Sequence, residues 1–82
     1  MEIKTKDLWQ SAYLLAKGSK LKDVSLYQNG GYKPEAFFII DGEKTENLID
    51  EYRSGQAECK VGMLKVSMEH LKEEMFRLIK RF

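Results

Sequence analysis

Eighty-two residues make one small domain, whose single core buries only about 60% of the surface the unfolded chain exposes. With 43% hydrophobic and 11% aromatic residues and a formal charge of +1, the composition excludes a disordered polyelectrolyte. A protein that depends on attraction to phosphate backbones usually shows a larger positive excess than this. One cysteine, Cys59, excludes an internal disulfide, and with His70 as the only histidine the soft ligands are too few for a metal cage.

Taken in chain order, Met1–Asp7 is mostly charged with no apolar run and does not read as a secretory signal. Thr5 is expected to cap a first helix over Lys6–Lys17, with Asp7 complementing its dipole. Leu8, Ala12 and Leu15 form one apolar line at helical spacing and Trp9, Tyr13 and Ala16 a second, and Gly18 offers a left-handed stop. Leu21–Tyr27 reads as a strand, followed by turn chemistry at Asn29-Gly30-Gly31 before Pro34. Glu35–Asp41 is the second strand of an antiparallel hairpin. It is apolar on both faces, with Ala36, Phe38 and Ile40 on one and Phe37 and Ile39 on the other, as suits a central strand. A hairpin alone is barely stable in water, so helices must cover it.

Thr45 is expected to cap a short helix to about Arg53, with Leu48, Ile49 and Tyr52 facing inward and Gly55 ending it. In Gln56–Val61, Ala57, Cys59 and Val61 alternate with Glu58 and Lys60, which predicts a third strand at the edge of the hairpin. From about Met63 onward, Leu64, Met68, Leu71, Met75, Leu78 and Phe82 recur at steps of four and three and line one face of a long helix. Glu73 and Arg77 stand at the spacing of a helical ion pair. The predicted fold is a small single α+β domain, ordered helix, hairpin, helix, edge strand, helix. Its antiparallel sheet of two to three strands is covered by helices.

Several stretches resemble a small family of bacterial, archaeal and viral proteins known only as a domain of unknown function. They are Lys4–Leu8 with Ala12–Gly18, then Phe37-Phe38-Ile39, then Leu48–Tyr52 with Gly55. The matching residues are structural. The resemblance implies a prokaryotic or phage-related protein and brings no catalytic residues with it.

The chain offers little reactive chemistry. His70 has Glu73 and Glu74 within a helical turn but no nucleophile beside it, and reads as an exposed surface histidine. Cys59, with Lys60 adjacent, reads as a small buried hydrophobe. Asp41, Glu43, Glu46, Asp50 and Glu51 cluster in sequence without the order of a calcium loop, so no metal site is expected. Asn29-Gly30-Gly31 has no phosphate-cradle spacing. No catalytic residue, cofactor or small-molecule substrate is expected, and the chain reads as a non-enzyme.

Charge is unevenly spread, with a net of +3 over residues 1–34, −4 over 35–62 and +2 over 63–82. Lys17, Lys20 and Lys22, with Lys33 near, are expected to line one edge of the hairpin. Tyr27 and Tyr32 beside them would offer stacking faces to a single-stranded nucleic acid. No arginine accompanies these lysines for bidentate base reading.

The helix-three stripe runs about 30 Å, longer than a seven-residue strand of about 23 Å, so one end is expected to overhang the domain. Leu71, Met75, Leu78 and Phe82 are the expected anchors of a homodimer or of contact with another protein. The reading is a cytoplasmic, non-catalytic protein-interaction or assembly module. The alternative is a weak nucleic-acid-binding accessory protein using Lys17, Lys20, Lys22 and Lys33. The longest apolar run, Ala36–Ile40, is too short to span a membrane.

Overall fold

The structure, a computed structural model, describes residues 1–27 and 34–81. The elements run β1 (Glu2–Thr5), α1 (Leu8–Ala16), β2 (Lys20–Tyr27), β3 (Glu35–Asp41), α2 (Thr45–Arg53) and α3 (Val61–Arg81). The domain is α+β, with an antiparallel sheet ordered β1-β3-β2 that places β3 in the centre. Phe38 and Ile40 lie buried under the helices, while Phe37 and Ile39 are half-buried on the opposite face. The Asn29-Gly30-Gly31 turn, Tyr32 and Lys33 lie outside the described residues, as does Phe82.

The third strand is not the one expected. Gln56–Lys60 pairs with no strand, and Val61 already belongs to α3. Ala57 and Cys59 turn inward because an extended segment crosses the edge of the core beside Tyr13, Tyr52 and Leu64. The place beside β3 is taken by β1, whose Ile3 pairs with Ile40 and Thr5 with Phe38. Ile3 and Thr5 turn inward and Glu2 and Lys4 outward, the two-residue period of a strand.

Pairing through Thr5 also moves the start of the first helix. Asp7, not Thr5, is the cap: its carboxylate accepts from the Gln10 amide at 3.0 Å. The Thr5 hydroxyl instead accepts from the Asp7 amide at 3.1 Å and donates to Gln10 Oε1 at 3.1 Å. Every residue from Gln10 to Leu14 is buried, so α1 is enclosed nearly all round by the sheet, α2 and α3. It stops where expected. The Ser19 amide reaches back to the Leu14 carbonyl at 2.9 Å and the Gly18 amide to that of Leu15 at 3.1 Å, with Gly18 at φ +108°. Gly55, at φ +79°, closes α2 in the same way.

α3 lays its Leu64, Met68, Leu71, Met75 and Leu78 stripe on the core formed by Ala12, Tyr13, Leu14, Val24, Phe38, Ile40 and Leu48. Leu71 is at 0% exposure, so it belongs to the chain's own core and not to the surface expected to meet a partner. On the outer side Arg77 pairs with Glu74 at 3.3 Å, one position from the expected Glu73. No helix among the described residues is long and apolar enough to cross a membrane.

Candidate functional site

Three of the four lysines singled out in the sequence come together. Lys17 caps the end of α1, Lys20 opens β2, and Lys22 is the extra residue of an irregularity in the register between Leu21 and Asp23. All three line a cleft of about 570 Å³ between the α1–β2 turn and the start of α2. A fourth, Lys44, completes it from the N-cap position of α2, where no side chain caps the helix. None of the four is ion-paired among the described residues. Lys44 was not among the lysines expected, because only the observed register, in which Lys20 stands opposite Asp41, brings the Gly42–Lys44 turn beside Lys17–Lys20.

Two carboxylates share the cleft, Asp41 and Glu43. Asp41 is engaged by the Met1 ammonium at 3.1 Å, which holds its carboxyl below the usual carboxylate range. The floor is built tightly. The Ser19 and Thr45 hydroxyls, both buried, hydrogen-bond to each other at 3.0 Å and tie the end of α1 to the start of α2. Thr45 is therefore a structural tie and not the expected cap. Gly42 fits against this pair so closely that an added Cβ would lie 2.9 Å from either hydroxyl oxygen and 3.2 Å from the Ser19 Cα. Either hydroxyl of the pair can be the donor of that hydrogen bond.

The aromatic half of the expected nucleic-acid site is elsewhere. Tyr27 ends β2, seven residues or about 23 Å along the strand from Lys20. Its ring stands edge-on to Phe37 at 6.1 Å, with Lys4 Nζ 5.7 Å above it and 4.9 Å above Phe37. The cleft itself is lined by neither an aromatic residue nor an arginine.

The remaining candidates disperse. Cys59 is half-buried in a second cleft with Tyr13, Tyr52, Ala57, Glu58 and Leu64. The Tyr13 hydroxyl donates to Glu51 Oε2 at 2.8 Å, and burial together with that carboxylate pushes its pKa up to about 12. Burial also raises Tyr52, whose ring lies 6.0 Å from that of Tyr13. His70 is exposed, beside Leu15, Lys20, Leu21 and Ser67. The acidic run divides three ways: Asp41 and Glu43 go to the lysine cleft, Glu46 and Asp50 to a groove beside β1, and Glu51 to Tyr13. No group of three or more His, Cys, Asp or Glu side chains converges among the described residues.

Of the expected interface residues, Met75 and Leu78 are half-buried against the core. The apolar side chains that α3 leaves to solvent are others: Phe76 at 52% and Ile79 at 39% near its end, and Val61, Met63 and Val66 near its start. A hundred degrees of turn per residue puts Phe76 and Ile79 on one strip with Glu69, Lys72 and Lys80, well round the helix from Leu71. No protein family, characterised protein or solved structure matches this chain.

Proposed function

We propose that the protein is a non-catalytic assembly module that forms a cytoplasmic homodimer through the outer face of α3. The carrying observation is the exposure of Phe76 and Ile79 on a strip that the chain's own core does not reach. Met75 extends that strip on its core side. A second copy is the occupant its charges favour. In an antiparallel pairing about a two-fold axis between Glu74 and Met75, Glu69 of one copy stands opposite Lys80 of the other, and this happens twice. The same axis brings the two Phe76 rings within about 4.5 Å of each other along the helix direction, three residues at 1.5 Å each. Aromatic anchors near the centre of such a contact supply most of its energy.

Kinship with the uncharacterised prokaryotic and phage family is part of the same proposal. Its support is that Gly18, Phe38 and Gly55, three of the residues carrying the resemblance, close α1, fill the core and close α2. Light scattering over a wide range of concentration tests the module. The wild type should pass from monomer to dimer, and Ile79→Lys should stay monomeric with its melting temperature kept. A wild type that remains monomeric at the highest concentration rejects the proposal.

A further inference from the structure

Four lysines line one cleft with two carboxylates, Asp41 and Glu43, and Asp41 is already engaged by the Met1 ammonium, so the cleft keeps an excess of positive charge that an anion from outside would answer. We propose that the cleft between the α1–β2 turn and the start of α2 binds a compact anion carrying one or two phosphate groups, held by Lys17, Lys20, Lys22 and Lys44 over the Ser19 hydroxyl. The site does not rest on the dimer.

The geometry supports a small anion over a nucleic-acid strand. The volume of about 570 Å³ lies in the range of small-molecule pockets. Strand binding wants stacking faces along a groove, and the nearest exposed candidate on this sheet, Tyr27, sits at the far end of β2. Lysine acts on phosphate as a point charge needing no planar fork, so the lack of arginine is no obstacle. The four lysines outnumber the two carboxylates of the cleft, and pyrophosphate meets that excess with several charges and many acceptor oxygens. Ser19 lines the cleft, and its hydroxyl, when it accepts from Thr45, turns its own hydrogen to a ligand as a neutral donor at the floor. The hydroxyl pair and Gly42 hold the two walls at fixed spacing, so the lysines are gathered before the ligand arrives.

The test titrates the full chain with sodium pyrophosphate, against sodium chloride at matched ionic strength, reading amide NMR shifts and melting temperature. Saturable shifts should concentrate at Gly18–Lys20 and Gly42–Glu46, with a rise in melting temperature that chloride does not reproduce. Lys20 and Lys44 are both exposed, so the Lys20→Gln, Lys44→Gln double variant should fold normally and bind at least about tenfold more weakly, equivalent to about 1.4 kcal/mol. Three results overturn the proposal. One is a pyrophosphate response no larger than that of chloride. A second is undiminished binding by the double variant. The third is a duplex DNA of equal phosphate content that binds more tightly than pyrophosphate and shifts residues well beyond the cleft.

Discussion

Replacing Gly42 by alanine probes the joint on which the lysine cleft is built. The new methyl would stand 2.9 Å from Ser19 Oγ and 2.9 Å from Thr45 Oγ1, nearer than a carbon and an oxygen can rest, and 3.2 Å from the Ser19 Cα. Ser19 and Thr45 are buried and bonded to each other, so neither hydroxyl can swing away without breaking that bond. Overpacking of this kind costs about 1–3 kcal/mol. At about 4–8 °C per kcal/mol for a chain of this size, the melting temperature should fall by roughly 5–20 °C. Urea unfolding at fixed protein concentration gives the same quantity from its midpoint. Adding Ser19→Ala removes one of the clashing oxygens, so the double variant should lose less than the two single changes together. A Gly42→Ala protein within about 0.5 kcal/mol of wild type, as for an ordinary surface change, would refute the close approach of the two walls.

Gly62→Ala is the counterpart: with nothing within 4 Å of its Cβ and a place in the first turn of α3, it should stabilise by up to about 1 kcal/mol in the same urea assay. Leu71→Ala should cost about 2–5 kcal/mol even in dilute monomer, because that side chain is wholly inside its own core. A loss of association with unchanged stability would return Leu71 to the interface. Tyr13 ionises near 10 when unfolded and near 12 when folded, so the unfolded chain sheds its proton first. Stability is therefore whole below pH 10 and declines between pH 10 and 12, with Tyr52 acting in the same direction. Ultraviolet titration of tyrosinate alongside unfolding should show the two together, and Tyr13→Phe should flatten that decline.

Much of the fold was legible because its periodic signals are long. Six positions at steps of four and three announced α3, and the doubly apolar Glu35–Asp41 announced a central strand. β1 was not legible. Four residues with two outward charges carry too little periodicity, and only pairing with Ile40 and Phe38 makes Ile3 and Thr5 inward-facing. Gln56–Val61 misled for the converse reason, since an extended segment beside a core edge alternates as a strand does without having a partner. Thr5 and Thr45 both carried cap chemistry, and tertiary context drew both away, one into strand pairing and the other into the hydroxyl pair with Ser19. The cleft was half visible. Lys17, Lys20 and Lys22 are close in sequence, while Lys44 arrives only through the hairpin register. The amphipathic stripe marked the buried side of α3 correctly, but its end from Leu71 on was expected to overhang toward a partner, because a sequence does not say whose core a stripe enters.

The most direct measurement of the assembly reading mixes isotope-labelled and unlabelled chains and records only contacts between copies. The account predicts contacts from the Phe76 ring of one copy to the Phe76 ring and Lys72 side chain of the other, and from Glu69 to Lys80. Inter-copy contacts confined to other surfaces, such as the Tyr27–Phe37 face of the sheet, or none at concentrations well into the millimolar range, would contradict it.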